Sequence, residues 1–127
     1  MELPEKGKVV PLEEIAEICR AYGLSDLWKK IENDPPPIPF KSDGCSLWSD
    51  SWQGIDLYPA CFFHDLKYWC GYPGEAAQRL IADAELMIDI ARAGAPRMAE
   101  IVFAGVRVGG HEALKRSFSW GFGRQTD

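Results

Sequence analysis

No stretch of the 127-residue chain approaches the ~18 consecutive apolar residues of a membrane span, which excludes a transmembrane helix on sequence grounds. The opening Met1-Glu2-Leu3-Pro4-Glu5 lacks the basic-then-apolar order of a signal peptide, so no export signal is expected, although a processed product stays open. Basic residues are in deficit. Fourteen Lys and Arg against nineteen Asp and Glu give a formal charge of −5, with no long basic block, which argues against a general nucleic-acid binder and against strong attraction to an anionic membrane. The short-spaced cysteine pairs of a structural zinc site are missing, because Cys19 and Cys45 have no close cysteine neighbour and Cys61, His64 and Cys70 form no knuckle. Four cysteines are compatible with two disulfides in an oxidising compartment; in a reducing one they would be small core side chains or metal ligands. Alternating runs long enough for a sheet and internal repeats are both absent, so the expected fold class is all-α. At 46% hydrophobic residues the length supports one domain with one continuous core, over residues 1–127.

Helical spacing through Leu12, Ile15, Ile18, Cys19 and Tyr22 predicts an amphipathic helix opened by Pro11, with Glu13 and Glu14 in its first turn and Gly23 at its end. Ser25 is read as the cap of a second short helix through Leu27, Trp28 and Ile31. Pro35-Pro36-Pro37 and Pro39 then form an extended linker that completes an N-terminal segment, 1–41. Ser42 to Gly54, rich in Ser, Asp and Gly, reads as an ordered loop. Helices are expected from Pro59 to Trp69, from Glu75 to Ala93 and from Pro96 to Val108, broken by Gly71-Tyr72-Pro73-Gly74 and by Gly94. These make a core segment, 42–108. The glycine-rich aromatic tail, 109–127, reads as irregular.

The run Cys61-Phe62-Phe63-His64-Asp65-Leu66-Lys67-Tyr68 is the most informative feature. On one helix His64 and Tyr68 share a face at i, i+4, Cys61 lies one turn back, and Asp65 points about a quarter-turn away. One helix can thus present a general base toward one wall and an oxygen ligand toward another. On the long helix Ala76, Leu80, Asp83, Met87 and Ile90 form one stripe, which puts a carboxylate among core residues. A buried carboxylate needs a hydrogen-bonding partner, for which His64 and Tyr68 are the candidates. The alternatives are a rotated helix that moves Asp83 to the solvent edge with Glu85 and Asp89, and a His64 that is simply a satisfied core histidine. His111, after Gly109-Gly110, reads as a surface histidine.

Taken together, Asp43-Gly44-Cys45-Ser46, then Asp50, then Cys61-x-x-His64-Asp65-x-x-Tyr68, then Arg79-x-x-Ala82-Asp83, resemble the secreted phospholipase A2 superfamily in its compact bacterial and fungal branch, over roughly Asp43 to Ile90. The resemblance implies a mostly helical fold with two antiparallel core helices, one holding His64 and Asp65 and the other Asp83. It implies a calcium-dependent esterase acting at the sn-2 position of a glycerophospholipid at a membrane or micelle interface, and secretion. His64 would be the base that activates water, Asp83 would hold its other ring nitrogen, and Tyr68 would donate to that carboxylate. Ca²⁺ would be held by Asp65 with Gly44, Asp50 and Ser51 of the loop, and an amide of Gly44 or Cys45 would assist the oxyanion. A Cys45–Cys61 disulfide follows from the same mapping, with Cys19–Cys70 left by subtraction or remaining as two free buried thiols. The glycine-rich cradle of the animal enzymes is absent from Ser46-Leu47-Trp48-Ser49-Asp50-Ser51-Trp52. Trp48, Trp52, Trp69 and Trp120 offer interface aromatics, of which at least half are expected to pack in the core. Two other readings stand beside the esterase: a non-catalytic lipid- or protein-binding module of the same fold, and a structural component of a larger assembly that docks through Phe118 to Phe122.

Overall fold

Apolar spacing, acidic first turns and early prolines are realised as five α-helices in the computed structural model, which describes residues 2–45 and 48–125. They are α1 (Leu12–Ala21), α2 (Ser25–Asn33), α3 (Tyr58–Trp69), α4 (Ala76–Arg92) and α5 (Pro96–Gly109). Pro11 caps α1 in an extended conformation, and Pro59 and Pro96 sit in the first turns of α3 and α5, where a missing N–H leaves no helical bond unmade. Gly23, at φ +71°, reverses the chain after α1, and the Leu24 N–H returns to the Cys19 carbonyl at 2.8 Å. Ser25 proves to be the first helical residue of α2 rather than its cap. Leu24 occupies the cap position, and no side chain caps that end.

The fold is mostly helical, with two small antiparallel pairs that the alternation reading did not anticipate: β1 (Val9–Val10) with β2 (Phe40–Lys41), and β3 (Ser51–Trp52) with β4 (Ile55–Asp56). Two residues per strand leave no window for a period-two pattern. The second pair is instead dictated by Gln53 and Gly54, both at positive φ (48° and 80°), the backbone of a tight hairpin turn.

Helix α3 lies between two apolar clusters. One face carries Phe62, Leu66 and Trp69 into Ile15 and Ile18 of α1, Ile31 of α2, Phe40, Trp120 and Phe122. Its other face carries Ala60 and Cys61 against Leu86 and Ile90 of α4 and Ala99, Val102 and Val106 of α5. Each fully buried large side chain contributes roughly 1.5–3 kcal/mol, so α3 is held from both sides. The segment after α5 contains 3₁₀ turns at Glu112–Leu114 and Phe122–Arg124 and docks onto the end of α3. A Cβ on Gly71 or Gly123 would run into the rings of Trp120 and Trp69. The Phe118–Phe122 stretch therefore already has a seat in its own core through Trp120 and Phe122. Among the described residues no helix is long and apolar enough to cross a membrane.

Cys45 and Cys61 form a disulfide, whereas Cys19 and Cys70 are free and fully buried, so the pairing by subtraction is replaced by its alternative of two core thiols. Burial pushes both thiols up to about 11. Native protein is therefore expected to be inert toward a disulfide-exchange reagent at pH 8, because reaction needs an accessible thiolate. Unfolding in guanidinium should then release two reactive thiols per chain. Rapid reaction of native protein, or four thiols on unfolding, would contradict this arrangement.

Candidate active site

The i, i+4 spacing on α3 stacks the rings of His64 and Tyr68 with centroids 4.3 Å apart. Helix α4 runs antiparallel to α3, since His64 meets Asp83 while Tyr68, one turn on, meets Arg79, one turn back. This register places a wholly buried carboxylate opposite the two rings. The buried stripe of α4 runs through Arg79, Ala82, Asp83, Leu86 and Ile90. Leu80, placed in the stripe by the sequence reading, is 46% exposed, a small rotation that leaves Asp83 in the core. Glu85 is exposed and Asp89 half-buried.

His64 Nε2 bonds Asp83 Oδ1 at 2.7 Å, and the Tyr68 hydroxyl donates to the same oxygen at 2.6 Å. Arg107 of α5 donates from Nη1 to Oδ2 at 2.7 Å. Arg79 donates from Nε to the Tyr68 oxygen at 3.1 Å and from Nη2 to the carbonyls of Val106 and Arg107 at 2.8 and 2.6 Å. Among the described residues no side-chain nitrogen or oxygen that is completely sealed from solvent lacks a partner. Burial works to raise the Asp83 pKa, but hydrogen bonds from His64, Tyr68 and Arg107 outweigh it and hold the carboxylate below its ordinary range. At His64 burial wins instead, lowering its pKa against the opposing pull of Asp83. A carboxylate accepts only, so Nε2 carries the ring proton and Nδ1 presents a lone pair. Nδ1 has no hydrogen-bond partner among the described residues. Beside His64 lies a cavity of about 30 Å³, the space of a single water, lined by Trp48, Asp65, Tyr68, Val106, Gly110 and Phe118.

Asp65 faces the 42–45 turn. Ser42 Oγ donates to Asp65 Oδ2 at 2.7 Å and the Asp43 amide does so at 3.2 Å, which leaves Oδ1 as the oxygen open to a ligand. Burial first, and then the Asp43 and Asp50 carboxylates, push Asp65 up to about 8 against the Ser42 hydrogen bond. An ionised Asp65 is thus an uncompensated negative charge, and a hard cation fits it. The other nominated ligands are placed differently. Asp50 Oδ1 accepts the Cys45 amide at 2.8 Å and its Oδ2 faces Lys6 Nζ at 3.3 Å. Ser51 is exposed in β3, opposite Asp56. Gly44, at φ +65°, donates its amide to Ser42 Oγ at 3.0 Å, so the Gly44 and Cys45 amides nominated for an oxyanion both serve the turn. Ser46 and Leu47 of the expected loop lie outside the described residues. No group of three or more His, Cys, Asp or Glu able to hold a metal occurs among the described residues, so further ligands would have to be backbone carbonyls or water. The disulfide ties this turn to α3 across 16 residues, which in the chain-entropy account is worth ~3 kcal/mol.

Comparison with protein-family models, curated proteins and solved structures returned no match.

Several residues at the site carry no local sequence signal. Arg107 reaches Asp83 from 24 positions away, and Ser42 reaches Asp65 from 23. Trp48, before β3, and Phe118, after α5, both line the cavity. Arg79, which enters the sequence reading only within the Arg79-x-x-Ala82-Asp83 motif, lies 4.0 Å from Asp83 at i, i+4, and its grip on α5 has no signal in the sequence. Of the tryptophans named for an interface, Trp69 and Trp120 are buried and Trp52 is exposed. His111 is exposed and caps the short 3₁₀ turn that follows it.

Proposed function

We propose that this chain is a calcium-dependent lipid esterase of the phospholipase A2 type, hydrolysing the sn-2 acyl ester of glycerophospholipids at a lipid interface. The observation that carries the reading is His64, fixed by Asp83 through Nε2, with an unpartnered Nδ1 beside a water-sized cavity that Asp65 also lines. His64 Nδ1 takes a proton from water as that water attacks the ester carbonyl, and gives it to the glycerol sn-2 oxygen as the acyl–oxygen bond breaks, releasing fatty acid and lysophospholipid. Asp83 keeps the ring in the tautomer that leaves Nδ1 free and stabilises the imidazolium that forms. Tyr68 holds Asp83 in place, and no covalent acyl-enzyme is needed. Asp65 would hold Ca²⁺ with loop oxygens such as the Gly44 carbonyl, and the bound ion would polarise the ester carbonyl. The antiparallel α3 and α4 belong to the same reading as the core pair of a phospholipase A2-like fold. The Cys45–Cys61 disulfide favours an oxidising, extracytoplasmic setting.

A second reading, a non-catalytic lipid- or protein-binding member of the same fold, is favoured by one observation. The cavity, at about 30 Å³, is the size of a water and not of an acyl ester.

Fatty-acid release from mixed zwitterionic and anionic phospholipid vesicles separates the two. Wild-type protein is expected to release fatty acid in calcium and to stop on chelation, and Asp65→Asn to behave as the chelated wild type. Absence of release by folded protein in calcium, on vesicles and on detergent-dispersed lipid alike, would reject the esterase.

A further inference from the structure

The two oxygens of Asp83 have different neighbours. Oδ1 takes His64 and Tyr68, and Oδ2 takes Arg107. The torsion that turns an aspartate carboxylate is soft and roughly two-fold, so contacts on Oδ1 alone hold the plane of the group only within a broad range. A donor on the opposite oxygen narrows that range. Arg79 does not supply it, because its Nε is directed at the Tyr68 oxygen and lies 4.0 Å from Oδ2, while its Nη2 grips the carbonyls of Val106 and Arg107. That grip fixes the last turn of α5, the turn from which Arg107 projects. We propose that Arg107 is a positioning residue for His64: its guanidinium on Oδ2 sets the plane of the Asp83 carboxylate and, through Oδ1, the orientation of the imidazole. The inference rests on the reading of His64 as the base, but its geometry can be tested without turnover.

Two features distinguish this role from that of a buried structural strut. The Arg107 side chain is 31% exposed, so water solvates its charge and the fold does not depend on Asp83 to neutralise it. It also touches the carboxylate through one nitrogen only, so a lysine ammonium can in principle replace it, which would not hold for a bidentate pair.

The test compares wild type, Arg107→Met and Arg107→Lys by proton–nitrogen correlation of the histidine rings in isotope-labelled protein, with circular dichroism to establish the fold. The His64 Nε2 proton, buried and bonded to a carboxylate, is expected to resonate downfield in wild type. It should move upfield or broaden in Arg107→Met and return in Arg107→Lys. On phospholipid vesicles, kcat should fall about 10-fold to 100-fold in Arg107→Met, the range typical of an outer residue that orients a functional group, with KM unchanged. An unchanged resonance in folded Arg107→Met overturns the proposal, and so does a shifted resonance with unchanged kcat. Unfolding of Arg107→Met also overturns it, since Arg107 would then be a strut. If wild type hydrolyses no lipid yet the resonance responds as described, the esterase reading fails while the positioning role stands.

Discussion

His64→Gln is expected to lower phospholipid hydrolysis about 10³-fold while leaving the protein folded, the loss that follows from removing a general base. Glutamine is the informative replacement because its amide can still donate to Asp83 Oδ1, where His64 Nε2 now sits at 2.7 Å, yet it offers no basic nitrogen to the cavity. The Asp83 carboxylate also keeps the Tyr68 hydroxyl and Arg107. Its hydrogen bonding is therefore largely intact, and a stability cost of about 1 kcal/mol is expected from one altered hydrogen bond. His64→Ala should abolish hydrolysis equally but cost more stability, since it leaves a void as well. Fatty-acid release measured beside thermal unfolding of the three proteins separates basicity from folding. Turnover in His64→Gln above a tenth of wild type would remove His64 from the mechanism.

The central part of the site was legible because its information is local or periodic. His64, Asp65 and Tyr68 lie within five residues of one helix, and the stripe containing Asp83 follows from helical spacing, although the structure turns it so that Arg79 and Leu86 are buried and Leu80 is not. The ends of α1 and α3 to α5 were close for the same reason: prolines and glycines mark them in the chain. Contacts made across the fold were not legible. Arg107, Ser42, Trp48 and Phe118 come to the site only because α5, the 42–45 turn and the segment after α5 close around α3. The β3–β4 hairpin escaped notice because two-residue strands carry no alternation, and its turn uses Gln53 at positive φ, where Asn or Gly would have been the recognisable residue. Asp50 was nominated as a ligand by the resemblance alone, and its hydrogen bond to the Cys45 amide is visible only in three dimensions.

Asp83→Ala should be the most destabilising single change at the site, costing about 3–5 kcal/mol, because it strands two buried donors, His64 and Tyr68, and takes the carboxylate away from the buried Arg79 guanidinium 4.0 Å off. It deprives the His64 ring, the Tyr68 hydroxyl and the Arg107 guanidinium of one shared acceptor, and only Arg107 is exposed enough to turn to water. Asp83→Asn should cost less, since its amide oxygen can still accept from His64 and Tyr68 while the charge facing Arg107 is lost. The acid side adds a second signature. The folded-state pKa of Asp83 lies below its unfolded value, so its contribution is fully present above the unfolded pKa of about 3.9 and is lost as pH falls through the lower folded value. The stability gap between wild type and Asp83→Ala should therefore be widest near neutral pH and narrow below about pH 4. Urea unfolding across that range measures both effects, provided the urea slope is unchanged between variants. A gap below about 1 kcal/mol at neutral pH, less than even an exposed pair plus one hydrogen bond would give, would show that the arginines and Tyr68 find other partners and that Asp83 holds His64 without supporting the fold.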